Sequence, residues 1–125
     1  MTGTILLYIG AFLIFGWGSV HLFPTKNIVR DFGDISADNK HILTMEWITE
    51  GVALMFIGIL VALVTYIDHT CSVAAAVYWS TFAVLNVLST VSIFTGFKHS
   101  FIAFKLCPFI FTVSSLLIII GYLIR

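Results

Sequence analysis

Long apolar runs alternate with short polar segments along this chain. The four runs cover residues 4–23, 42–66, 73–97 and 101–124. Each is long enough to cross the ~30 Å hydrocarbon core of a bilayer, which takes about 20 helical residues. The pattern predicts an all-α, polytopic membrane protein in which residues 1–125 form one bundle of four transmembrane helices. Any chemistry is then expected within the bundle or at its rim.

Composition supports this interpretation and narrows the possible partners. Hydrophobic residues make up 60% of the chain and charged residues 10%, whereas a soluble domain carries about 25% charged residues. The bilayer is therefore the first predicted partner. A formal net charge of zero argues against nucleic-acid binding. The first run is preceded by no basic residue and followed by no small-residue cleavage motif, so it is expected to be retained as a helix.

The distribution of basic residues predicts an orientation. The segments 24–41 and 98–100 hold most of the Lys and Arg residues of the chain: Lys26, Arg30, Lys40 and Lys98. On the opposite side the C-terminal Arg125 stands alone. Because cytoplasmic loops are enriched in Lys and Arg, both segments are predicted to be cytoplasmic and both termini extracytoplasmic. The predicted location is an inner (plasma) membrane of bacterial type.

Two glutamates open the second run. Glu46 and Glu50 are separated by one helical turn, about 6 Å along the axis, and share one helix face. Glu50 lies about 12 Å beyond Ile42, where an uncompensated carboxylate is costly in hydrocarbon. We therefore expect Glu50 to face the bundle interior, paired with Lys105 or hydrogen-bonded to Asn86, and Glu46 to lie nearer the water. The small residues Gly51 and Gly58 are expected to let a neighbouring helix approach closely.

Trp17 and His21 have the same one-turn spacing at the end of the first run. One interpretation is an interfacial belt, with Trp at the headgroups and His at the water boundary. The other places His21 opposite Glu46 or Glu50, as a proton partner or ligand. His41 and His99 are predicted to lie at the same membrane face, but the Glu-x-x-His pairs of dimetal bundles are missing from the sequence. Haem or a metal is therefore not expected.

The first loop, residues 24–41, has its own pattern. Its apolar residues form a stripe among charges: Ile28, Val29, Phe32 and Ile35. Such a stripe predicts a segment lying in the membrane interface, as a lid over the polar end of the bundle or as a tether. Ser36 is a predicted N-cap, so the second helix is expected to begin before it enters the membrane.

Two motifs resemble those of a known family. The first run ends in GWGSVHLFPT, and the second opens with WITEGVALMFIG, which contains Glu50, Gly51 and Gly58. This order of a glycine-bearing helix, an interfacial loop and a Glu-Gly helix resembles DoxX-like membrane proteins. The resemblance implies a compact four-helix bundle over most of the chain. It also implies a link to membrane redox systems such as quinol oxidation.

These observations lead to one functional hypothesis and two alternatives. The first is a polar intramembrane pocket at the cytoplasmic end that binds an amphipathic small molecule, a quinone or a lipid. Its predicted site residues are His21, Glu46, Glu50, Asn86 and Lys105. The alternatives are an accessory subunit packed against other membrane subunits, and a proton-coupled transporter that uses Glu50, as a homodimer. Whether the protein is an enzyme stays open.

Overall fold

The computed structural model describes residues 1–98 and 102–125, and it consists of helices joined by short turns. The helices are α1 (Thr2–Leu22), α2 (Thr25–Asp31), α3 (Ala37–Asp68), α4 (Ser72–Gly96) and α5 (Ile102–Leu123). All except α2 are long and apolar enough to cross a membrane. The predicted all-α, four-helix membrane bundle is therefore confirmed. His99 and Phe101, which belong to the predicted third loop and fourth run, lie outside the described residues.

The first loop is more ordered than an apolar stripe alone requires. It forms α2, turns at Gly33, whose φ of +76° favours glycine, and then enters α3 at Ala37. Ser36 caps α3, because its side-chain oxygen accepts a hydrogen bond from the Asn39 backbone N–H at 3.2 Å. The predicted cap is confirmed, and α3 begins five residues before the predicted apolar run.

The four long helices pack unevenly around the bundle. α1 packs closely against α3 and α5, and α4 packs closely against α5, whereas α3 and α4 touch sparsely. The shared core is fully buried and comes from every long helix, as Leu7, Leu54, Tyr78 and Phe111 illustrate. The bundle therefore has three tight seams and one loose seam, between α3 and α4.

The α1–α3 seam is tight because glycines let the two backbones meet. A Cβ on Gly18 would lie 2.6 Å from the carbonyl oxygen of Gly51, and one on Gly51 would lie 2.9 Å from that of Gly18. Two turns further along α3, a Cβ on Gly58 would lie 2.7 Å from the carbonyl oxygen of Ala11. No larger residue fits at such distances without displacing a helix. The expected close approach at Gly51 and Gly58 is confirmed.

Candidate functional site

The loose seam contains a groove at the end of the bundle where α1 ends and α3 begins. The groove encloses about 550 Å³. Its walls are formed by α3 and α4, which contribute among others Ala53 and Val84, and by Phe104 of α5. α2 covers it through Ile28 and Val29, which are buried, and through its C-cap residue Phe32. Of the two interpretations of the first loop, the lid therefore fits this packing.

A second cavity continues the seam towards the other end of the bundle. It encloses about 450 Å³ and shares Ile57 and Val84 with the groove. The rest of its lining is mostly apolar and includes Leu60 and Val77. The α3–α4 seam thus offers a groove with a charged mouth and, next to it, a mostly apolar surface cavity.

Both glutamates line the mouth. Glu46 and Glu50 contribute to the wall of the groove, and the Glu50 side chain is 44% exposed. The prediction that Glu50 faces the bundle interior is therefore wrong. Gly51 is the residue of α3 that packs against α1. Because consecutive helical residues are rotated by about 100°, the preceding Glu50 is directed towards the groove.

His21 lies behind Glu50, on α1. Its side chain is only 4% exposed, and its Nε2 atom is 3.7 Å from Oε1 of Glu50. Its Nδ1 atom lies 2.8 Å from the carbonyl oxygen of Trp17. A carbonyl only accepts hydrogen bonds, so Nδ1 carries a proton. Nε2 therefore presents Glu50 with a lone pair in neutral histidine and with an N–H in the protonated form.

Aromatic rings hold His21 in place. Trp47 of α3 stacks on the imidazole, with ring centroids 5.0 Å apart and an interplanar angle of 27°. Its indole N–H also donates a hydrogen bond to the backbone carbonyl of His21. The Trp17 ring is in an edge-to-face arrangement with the imidazole, with ring centroids 5.6 Å apart. His21 is therefore buried opposite Glu50, which is where the second interpretation placed it.

Trp47 and Phe104 are parts of the site that sequence reasoning missed. Their rings are 5.4 Å apart in an edge-to-face arrangement, and both line the groove. A signal was available for Trp47, since a buried indole N–H needs an acceptor and Trp47 adjoins Glu46 in the sequence. Phe104 offers no such signal, because it is one of four phenylalanines in the fourth apolar run and one of twelve in the chain.

Lys105 does not pair with Glu50, which corrects the prediction. Its side chain is exposed. Within residues 1–98 and 102–125, the ion pairs closer than 4.0 Å are His21–Glu50 and Arg30–Asp31. The preceding residue, Phe104, occupies the groove wall, so Lys105 is directed away from it, where its long side chain reaches polar surroundings.

Asn86 is also placed differently from the prediction. Its amide N–H groups donate to the Phe82 carbonyl at 2.7 Å and to the Ser115 hydroxyl at 3.2 Å. One turn further along, Ser89 donates to the Pro108 carbonyl at 3.0 Å. Polar groups in hydrocarbon are satisfied by neighbouring protein atoms. Asn86 thus joins α4 to α5 and does not line the groove.

The described part of the chain offers no cluster of three or more His, Cys, Asp or Glu side chains that could hold a metal ion. Of the other two histidines predicted at this face, His41 is exposed near the start of α3 and His99 lies outside the described residues. The described residues therefore bring two carboxylates, one imidazole and several aromatic faces to the mouth.

Fold and groove together define a class: a multi-pass membrane protein whose helix bundle opens sideways at a polar mouth. Comparison with protein-family models, curated protein sequences and solved structures gives no match for this chain. The resemblance to DoxX-like proteins therefore stays a prediction. The function has to be inferred from the groove.

Proposed function

We propose that this protein binds an amphipathic small molecule, a quinone or a lipid, in the α3–α4 groove. The observation that carries the proposal is a charged groove of about 550 Å³ that adjoins a mostly apolar cavity of about 450 Å³ along the same seam. Small-molecule sites are mostly apolar clefts of about 300–1,000 Å³ with a few polar groups that fix orientation. The polar head would lie at Glu46 and Glu50, and the tail between α3 and α4.

The residues have separate roles in this proposal. Glu46 and Glu50 meet the head group, Trp47 and Phe104 pack against it, and His21 positions Glu50 from behind. Asn86 and Lys105 have no part in binding. The α2 segment covers the mouth on the side facing the water.

A matched pair of substitutions on α3 tests the proposal. Ala53 lines the groove, and its neighbour Val52 is exposed on the outer surface of the bundle. Ala53→Phe should fill the groove and weaken binding about tenfold or more, which corresponds to about 1.4 kcal/mol. Val52→Phe adds a ring without touching the groove and should bind like the parent protein.

Two measurements apply to these variants in nanodiscs. The first is saturable quenching of tryptophan fluorescence by decylubiquinone, since Trp47 lines the groove. The second is native mass spectrometry of lipid retained after gentle solubilisation. Loss of either signal in Ala53→Phe but not in Val52→Phe supports the proposal. Equal behaviour of both variants in both measurements would overturn it.

We also propose the orientation that the basic residues predict, in a bacterial-type inner membrane with segments 24–41 and 98–100 in the cytoplasm. Cys71 precedes α4 at the far end of the bundle and is partly exposed, whereas Cys107 is buried in α5. An impermeant maleimide should therefore label Cys71 in intact cells. In a Cys71→Ser background, Asp34→Cys in the first loop should react only after lysis. The reverse pattern would invert the topology.

A further inference from the structure

The groove is selective in the charge that it presents. Among the described residues, the charged members of its wall are Glu46 and Glu50, with neither Lys nor Arg beside them. Lys26, Arg30 and Lys40 line an adjoining cavity beside α2, which shares Val29 with the groove. The groove wall therefore presents the negative charge of its two glutamates towards an occupant, and the basic residues line the neighbouring cavity.

The same mouth is rich in aromatic faces. Phe32, Trp47 and Phe104 line it together with the two glutamates. Aromatic faces attract cations, and carboxylates attract them by charge. A mouth that combines these groups is more complementary to an ammonium head group than to the neutral ring of a quinone.

Glu50 also has a competing partner. When Nε2 of His21 carries a proton, it faces the Glu50 carboxylate as an N–H at 3.7 Å. When Nε2 is unprotonated, its lone pair faces that carboxylate, and the exposed Glu50 side chain is left to neutralise a cation in the groove. One proton at the His21–Glu50 pair and one cation at the mouth therefore compete for the same carboxylate.

Resting on the function proposed above, we infer that the groove binds amphipaths with a cationic head, an amine or quaternary ammonium, in exchange for a proton held between His21 and Glu50. Among the residues that the structure describes, the titratable groups near Glu50 are His21 on α1, Glu46 on α3 and the Cys107 thiol on α5. α2 and α4 contribute only apolar side chains to the groove wall.

The experiment compares two probes that share one tail. Dodecyltrimethylammonium and 1-dodecanol are titrated into protein in zwitterionic nanodiscs, with empty nanodiscs as the baseline. The ammonium should bind about tenfold or more tightly than the alcohol. Its affinity should rise with pH, by up to about tenfold per pH unit where one proton is displaced. Calorimetry in two buffers of different ionisation enthalpy counts the released proton directly.

Variants of Glu50 and Glu46 show whether binding depends on the charge of the carboxylates or on the shape of the groove. Glu50→Gln should abolish the pH dependence and bring the affinity for the ammonium close to that for the alcohol. Glu46→Gln should lower affinity by about tenfold or less and keep the pH dependence. Glu50→Asp retains the carboxylate and should keep the pH dependence too, which controls for damage to the fold.

The outcomes distinguish this inference from the function on which it rests. If the alcohol binds as tightly as the ammonium and Ala53→Phe weakens both, the groove site stands and the cation preference is wrong. If neither probe binds saturably above the empty-nanodisc baseline, the groove site itself fails. Ammonium binding that is independent of pH in the parent protein would overturn the proton exchange.

Discussion

The α1–α3 seam and the α3–α4 seam share one helix but are built differently. On one face of α3, Gly51 and Gly58 bring backbones into contact with α1. On the face beside it, Glu50, Ala53 and Ile57 line the groove, where α3 and α4 touch only sparsely. A close backbone contact fixes the rotation of a helix about its axis. The tight α1–α3 seam therefore sets the direction in which α3 presents its glutamates to the loose α3–α4 seam.

The loose seam is also bounded by a second pair of closely packed helices, α4 and α5. Asn86 and Ser89 hydrogen-bond α4 to α5, as glycines join α3 to α1. The groove is thus the gap between two helix pairs that are each held together by their own contacts. This arrangement explains how a bundle of this size keeps an open groove without losing its core.

The largest expected effect on the free energy of unfolding comes from disrupting the tight α1–α3 seam. Gly18→Ala would put a Cβ 2.6 Å from the Gly51 carbonyl oxygen, whereas a Cβ on Gly16 meets nothing within 4 Å. Overpacking costs about 1–3 kcal/mol or more, so Gly18→Ala should lower the free energy of unfolding by about that amount. Gly16→Ala should leave it unchanged or raise it by up to about 1 kcal/mol, because alanine favours helix.

Steric trapping in bicelles measures both glycine variants on the same scale. Equal stability of Gly16→Ala and Gly18→Ala would mean that the two backbones do not meet at Gly18. The position of Glu50 beside His21 would then need another explanation.

A smaller effect distinguishes the partner of Glu50. A double-mutant cycle with His21→Phe and Glu50→Gln should give a coupling of about 1 kcal/mol. The phenylalanine keeps a ring against Trp47 and removes Nε2. The coupling is expected because Nε2 of His21 faces Oε1 of Glu50 at 3.7 Å.

The matched cycle with Glu50→Gln and Lys105→Met should be additive within about 0.5 kcal/mol. Both cycles use the free energy of unfolding. Strong coupling of Glu50 to Lys105, with none to His21, would restore the pairing expected from the sequence.

The smallest effect concerns α4 and α5. Asn86→Ala should lower the free energy of unfolding by about 0.6 kcal/mol and at most about 1.7 kcal/mol, the range for hydrogen bonds between membrane helices. Thr90→Ala is the control, because the Thr90 hydroxyl donates only within its own helix, to the Asn86 carbonyl. Neither variant should change ligand affinity. A loss of affinity in Asn86→Ala alone would return Asn86 to the site.

The sequence predicts how deep a residue lies in the membrane better than it predicts which side of its helix the residue faces. Run lengths located the four spans, and the Ser36 cap located the start of α3. Lys105 and Asn86 were matched to Glu50 by depth alone, and both face elsewhere. Apolar residues surround these helices on every side, so periodicity does not show which face meets a neighbour. A shift of one residue rotates a side chain by about 100°, which is enough to exchange Lys105 for Phe104 at the groove.

The length of α3 links the site to bilayer thickness. Its 32 residues extend about 48 Å, against about 30 Å of hydrocarbon. Full immersion would need a tilt of about 50°, beyond the 0–40° seen for membrane helices, so part of α3 stands outside the hydrocarbon. The end with Glu46 is the polar one and is expected to project. Longer acyl chains would then submerge Glu46 and shorter ones would expose Glu50, so lipid chain length should tune occupancy without any change in the protein.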